Sequence, residues 1–318
     1  MAGVALRDTG LAIGDLRALA RAAEDAGYNS IWVPEVGSRD ALTLCAVLGS
    51  VTHRARVGTG VVPAPSRNPV TLALGAATAA EASQGRFTLG LGAGHRFASE
   101  HWYDVAWTRP RTRLRETVDI VRRVLAGERV HHDGIVRVDG FHLMSTPPHV
   151  PVFLAATTPG TLRLAGEVAD GVILNWLPPE GVERAALLGR EAAADAGRAI
   201  DMAAYVRVAV TGGPDDEEHA RAVMREQTYA YMSLPSYAHA ISGLDPELAT
   251  AVSHMNDDDE GALDDLTSSL CLWGPAETVR DRLRAYEKAG VDELVIYPVA
   301  FGDDPAASVL HTIRALAP

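Results

Sequence analysis

The chain has little cysteine, no excess of basic charge and no long hydrophobic run, and each shortage excludes a class of protein. Two cysteines in 318 residues cannot build a disulfide framework. Cys45 in "LTLCAVL" and Cys271 in "SSLCLW" both have apolar neighbours, so both are expected as reduced, buried thiols. Acidic residues outnumber basic ones, 41 to 29, for a formal net charge of −12. That balance argues against nucleic acid as a partner and against docking on anionic lipid. No apolar stretch reaches the length of a membrane span. The opening "MAGVALRDTG" lacks the basic region and apolar core of a signal peptide, so a cytoplasmic chain is expected.

Several catalytic signatures are missing as well. No G-x-S-x-G or Walker sequence occurs. The "HHDG" at 131–134 has no accompanying ligand set and reads as an exposed hairpin turn. The "NDDDEG" at 256–261 resembles a calcium loop but has Thr267 where the twelfth-position glutamate belongs, so it reads as a solvated acidic loop. No metal site is expected.

What is present is repetition. In "DLRALARAAEDAGYNSIWVPE", Leu16, Leu19, Ala20 and Ala23 fall on one helical face, Gly27 stands where a helix-ending glycine belongs, and "SIWV" follows as a short buried strand. The same order recurs in "ALTLCAVLGSVTHRARVGTGVV", with a strand at 57–62. It recurs again in "NPVTLALGAATAAEASQGRFTLGLG", where Asn68 is an N-cap, Pro69 the first helical residue and 86–91 a strand. "EKAGVDELVIYP" near the end echoes the first unit. A first strand "GVAL" and strands near residues 31, 59, 88, 153, 172, 206 and 295 make eight, which predicts a (β/α)8 barrel as one domain over 1–318. Their continuous apolar runs suit strands covered on both faces. A doubly wound open sheet is the other architecture with this pattern. Two segments break the rhythm: 128–149, whose Asp-Gly turns predict a small hairpin, and 213–262, a helical insertion after the seventh strand that predicts a lid or an interface.

The strand ends carry the chemistry. "GRFTLGLGAGH" closes the fourth strand with alternating glycines, but His95 stands where a dinucleotide fingerprint needs its third glycine. The aromatic "HRFASEHWYDV" that follows does not read as a helix start, so that motif is rejected. On a barrel, glycines at a strand's C-terminal end let a ligand lie against backbone. Thr157 and Thr158 open a helix, a natural phosphate position as well as a plain cap. Asn175 and Trp176 end the sixth strand with an amide beside a planar ring.

These segments, with "AEDAGYNSIWVPE", "VGTGVVPAPSRNP", "PVFLAATTPGTLRLAGEVADGVILNW" and "GPAETVRDRLRAYEKAGVDELVIYP", resemble the luciferase-like monooxygenase superfamily. The inserted "TYAYMSLPSYAHAISG" resembles its branch using the deazaflavin coenzyme F-420. The resemblance spans nearly the whole chain. It implies an oxidoreductase that transfers a hydride between F-420 and a small organic substrate, with an FMN-dependent monooxygenase as the alternative, and a homodimer. It further implies a non-proline cis peptide at Gly60-Val61 behind the cofactor ring. Ala93, Gly94, Thr157, Thr158, Asn175 and Trp176 would line the cofactor. His95 would be the first and Glu35 the second candidate for proton transfer, and Tyr229, Tyr231 and Tyr237 of the insertion would cover the substrate side. Val36 stands where some deazaflavin sugar-phosphate dehydrogenases have a histidine, which argues against that activity.

Overall fold

Residues 1–7, 10–255 and 260–318 are described by the computed structural model. Most of "NDDDEG" lies outside them. Among the described residues, eight parallel strands form the barrel: β1 (Ala2–Ala5), β2 (Ser30–Val33), β3 (Arg56–Thr59), β4 (Phe87–Gly92), β5 (Val152–Ala155), β6 (Gly171–Asn175), β7 (Asp201–Val210) and β8 (Glu293–Pro298). Each pairs with the next, and β1 pairs with β8, so the sheet closes on itself. Closure removes the doubly wound alternative. Each strand has helices outside and side chains inside, which is why β4 and β8 are buried along their whole length.

The helices form where the spacing predicts them. Leu16, Leu19, Ala20 and Ala23 are all buried on the helix Ile13–Asp25. Leu114, Val118, Val121 and Leu125 are buried on Pro110–Leu125. Asn68 caps Pro69–Ala82 by accepting from the Thr71 N–H at 2.9 Å. Both cysteines are free and buried. The excursion after Pro110–Leu125 is an antiparallel hairpin of Val130–Asp133 and Arg137–Phe141. His131 lies on it, half-exposed or more, 2.7 Å from Asp139.

Two expectations fail locally. A short helix, Arg96–His101, begins directly after His95, although the aromatic sequence argued against a helix start. Its Phe97 and His101 stack at 4.5 Å on the outer side, so the aromatics pair with each other along the helix. The insertion after β7 holds the helices Pro214–Met232, Pro235–Leu244, Pro246–Met255 and Glu260–Leu270, and ends in an unexpected strand, Cys271–Gly274. That strand pairs with Arg207–Val210, beyond the part of β7 that pairs with β6. The long β7 thus outruns β6, and Cys271–Gly274 takes up the backbone groups left over.

The barrel interior is layered. Glu293 seals the N-terminal end, accepting from the Ser30 hydroxyl, from Trp32 Nε1 at 3.3 Å and from Arg56 at 2.7 Å. Above it Trp32, Phe153 and Tyr205 fill the lumen, with Trp32 5.7 Å from Phe153 and 6.5 Å from Tyr205. Tyr297 packs on Tyr205 at 6.1 Å. The lumen is therefore a packed core and not a channel.

Candidate active site

Strand parity decides what reaches the mouth. Ala203 and Tyr205 face the lumen, so two residues further Arg207 does too. By the same alternation Ile173 is followed by Asn175, and Phe153 by Ala155. The mouth has a wall of small residues, from β3 to β5, and a polar aromatic wall, from β6 to β8.

On the small wall, β3 ends in a cis peptide between Gly60 and Val61. The chain then rejoins the sheet through Val62 and Pro63, which pair with Leu91 and Gly92. Gly60 has to be glycine, since a Cβ there would sit 1.7 Å from the Tyr205 hydroxyl. The Gly90 position would put a Cβ 1.9 Å from the Thr59 carbonyl. Thr59 Oγ1 also bridges the Gly90 N–H and C=O, each at 2.9 Å. These glycines make room for the protein's own backbone and aromatics. Gly94 differs: its φ is +76°, in the region that favours glycine, and the nearest atom to a Cβ would be Pro63 Cβ at 3.3 Å. Ala93, Gly94 and His95 are all partly exposed at the turn.

His95 closes this wall. Its Nδ1 lies 3.3 Å from the Ser236 hydroxyl, and its ring is 6.0 Å from that of Tyr237. Burial holds its pKa below the ordinary 6.5, so the imidazole is neutral at pH 7. Glu35 is placed differently. Its carboxylate takes a two-pronged bond from Arg67 at 2.8 and 2.7 Å and accepts from the Ala41 N–H at 3.0 Å. Arg67 also reaches Asp40. Burial works against the Arg67 charge, but the two carboxylates outweigh it and hold its pKa above the ordinary value. Glu35 is thus committed to fixing the loop after β2.

Thr157 and Thr158 begin the helix Pro159–Val168. Both of their N–H groups donate to Thr161 Oγ1, at 3.2 and 3.1 Å, and Thr158 caps in return. Plain capping accounts for these donors, and the Thr157 hydroxyl faces no described partner.

The polar wall is more tightly built. Asn175 Oδ1 accepts from Arg207 Nη1 at 2.6 Å, and Asn175 Nδ2 donates to the Tyr237 hydroxyl at 3.0 Å. Burial, then the neighbouring Tyr231, pushes the Tyr237 phenol above its ordinary pKa, so it stays neutral. Trp176 sits at φ +57°, which turns its ring back into the protein, where it is 1% exposed. For a bulky residue that conformation costs on the order of 1–3 kcal/mol. The ring covers the Arg207 guanidinium at 3.6 Å and meets Tyr231 at 4.9 Å. Trp176 therefore faces Arg207, and its role at the mouth is indirect.

The insertion lies over both walls. Ser236 approaches His95, and Tyr237 bonds Asn175. Tyr231 packs on Trp176 and, at 5.2 Å, on Tyr237. Tyr229, by contrast, is 53% exposed and is not brought to the mouth. Sequence reasoning missed Arg207. Its signal was a lone arginine inside "YVRVAV", at the parity of the lumen-facing Tyr205.

A flat, polar-edged ring is a test of these residues, and they fit it. The small wall offers the Val61 bulge and the Ala93–Gly94 turn as a surface, with a buried, unpartnered Tyr205 hydroxyl beneath. Among the described residues there is no group of three or more metal-ligating side chains. No described helix is long and apolar enough to cross a membrane.

The profile of the luciferase-like monooxygenase family matches residues 2–293. A 5,10-methylenetetrahydromethanopterin reductase of Archaeoglobus fulgidus is 27% identical over 296 residues, covering 88% of each chain. Among solved structures, an F-420-dependent secondary alcohol dehydrogenase in complex with an F-420–acetone adduct superposes with a TM-score of 0.81 at 18% identity, over 100% of this chain and 99% of that one. The oxygenating constituent of 3,6-diketocamphane monooxygenase of Pseudomonas putida, in complex with FMN, gives 0.74 at 18% identity, over 99% and 96%.

Proposed function

The chain belongs to the luciferase-like monooxygenase family, and from that premise we propose that it is an oxidoreductase moving a hydride between the deazaflavin coenzyme F-420 and a small organic substrate. The observation that carries this reading is the two-walled mouth: a backbone surface around Val61 and Gly94, closed by the neutral His95 imidazole, on one side, and an amide–phenol pair on the other. Reductase relatives matched over nearly the full chain support the choice of branch.

In this reading the deazaflavin supplies a ring carbon that accepts or returns hydride. Gly60, Val61, Ala93 and Gly94 would hold the ring's face, and Asn175 its polar edge. Thr157 and Thr158, at the start of the helix Pro159–Val168, would meet an anionic tail, chiefly through the Thr157 hydroxyl. His95 moves the proton. In the tautomer whose Nδ1–H faces the Ser236 hydroxyl, Nε2 is the acceptor for the proton a substrate sheds as its hydride leaves. In the reverse direction the same nitrogen returns it. Glu35, already locked to Arg67, is a positioning residue in this scheme. Tyr231 and Tyr237 wall off water on the substrate side.

The FMN-dependent monooxygenase is the second reading, favoured by the FMN-bound neighbour of similar fold. Oxygen separates the two. Turnover with F-420 is expected to be unchanged under anaerobic conditions. Turnover that needs FMN and stops without oxygen supports the monooxygenase.

A further inference from the structure

We propose that Arg207 is the anchor for a carboxylate carried by the substrate. The inference rests on the oxidoreductase reading and adds the substrate's chemical class.

Arg207 is 2% exposed, points into the lumen, and meets no carboxylate among the described residues. Of its side-chain nitrogens, Nη1 donates to Asn175, while Nε is buried with no acceptor. Three rings surround the cation: Trp176 at 3.6 Å, Tyr297 at 4.7 Å and Tyr231 at 5.4 Å. Aromatic faces offset the buried charge, but they leave the Nε–H without a hydrogen-bond acceptor. The Nε edge is the side of an arginine that pairs with the two oxygens of a carboxylate.

The surroundings provide an approach. Tyr231 and Tyr297, two of the three caging rings, also line a cavity of about 320 Å³ between β1, β8 and the helix Pro214–Met232. Most of its other walls are apolar, including Leu6, Leu11, Val223 and Val299, and its polar lining is Arg7, Gln227 and the exposed Glu226. Tyr231, which belongs to the insertion, stands against the guanidinium and on the cavity wall at once, so the cation and the cavity are neighbours. The shape and lining fit a compact apolar body, and the cation fits one oxyanion at its end. The chain as a whole is acidic, so a general attraction for anions does not explain a buried guanidinium.

The test uses the cofactor-free protein, so that failure of cofactor binding and failure of this proposal are separate results. Benzoate and isovalerate are titrated against benzamide and isovaleramide at constant ionic strength in chloride. Thermal stabilisation and tryptophan fluorescence are read, since Trp176 lies on the guanidinium. Each acid is expected to bind at least about tenfold more tightly than its amide. Arg207→Met should remove that preference, and Arg207→Lys should restore part of it. A methionine replaces a buried charge with an apolar side chain of similar length, a change that folds commonly tolerate. Should a variant misfold, the acid–amide comparison in the native protein decides alone. Equal binding of acid and amide, no binding of either acid, or a preference that survives Arg207→Met overturns the proposal. Acid binding by a protein that ignores F-420 would keep the carboxylate site and remove the cofactor reading.

Discussion

At the scale of the residue, His95 and Glu35 show how one surrounding frees a group and another commits it. His95 has a single hydroxyl contact and a pKa lowered by burial. Glu35 has three bonds from Arg67 and Ala41. The prediction is asymmetric: His95→Gln should cut kcat by about 10²–10⁴-fold, the range of a lost proton-transfer group. Glu35→Gln should mainly loosen the loop after β2 and raise KM. The pH profile gives the sign. A histidine with depressed pKa is neutral above that pKa, so substrate oxidation should hold steady at pH 7 and fall on the acid side, with its midpoint below 6.5. Folding stability follows the same direction. The unfolded chain binds the proton first, so stability drops as pH falls below 6.5 towards the native value. A kcat that is unchanged in His95→Gln would remove the histidine from the mechanism.

At the scale of the element, the insertion after β7 and the loop between the helix Ala41–Gly49 and β3 are the informative pieces. Tyr231 and Tyr237 interlock with Trp176 and Asn175, whereas Tyr229 points to solvent. Replacing Tyr231 and Tyr237 with alanine should raise substrate KM by about 5–30-fold, the loss of about one to two kcal/mol of aromatic contact. Tyr229→Ala should leave kinetics within about twofold, and light scattering should report the same mass for all three variants. A drop in mass with intact chemistry would make the segment an interface instead. Glu24 offers a stability test. Its buried carboxylate accepts from the N–H groups of His53, Arg54 and Ala55, the shortest at 2.6 Å. Burial raises its pKa, but those backbone bonds outweigh burial and leave it below the ordinary 4.5. Its contribution is therefore complete above 4.5 and is lost as pH falls through the lowered value. Glu24→Gln should cost about 1.5–3 kcal/mol in urea unfolding at pH 7 and flatten the acid limb of the stability curve. An unaltered unfolding midpoint would contradict this.

At the scale of the whole molecule, the eight-strand order was legible because every barrel strand is covered on both faces and so reads as an apolar run ended by glycine or proline. The cis Gly60-Val61 bond was legible only through resemblance, since nothing in "GTGVV" itself dictates it. Other parts were hidden for physical reasons. Cys271–Gly274 follows a helix without a break and reads as its last turn; only the length of β7 shows that an extra edge needs pairing. Trp176 looked like a cofactor contact because a strand end was assumed to project its side chain into the mouth, and a left-handed φ turns it inward. The glycines at the ends of β3 and β4 read as ligand contacts, and three of them serve close packing: Gly58 against Trp32, Gly60 against Tyr205 and Gly90 against Thr59. The mouth that remains, between Val61, Gly94, His95 and Asn175, is what the functional reading depends on. Its most direct test is a parallel fluorescence titration of the purified protein with oxidised F-420 and with FMN. The account predicts saturable F-420 binding at micromolar Kd or tighter, with FMN weaker by at least about tenfold, a difference of about 1.4 kcal/mol. FMN binding as tight as F-420, or FMN copurifying with the protein, would contradict it.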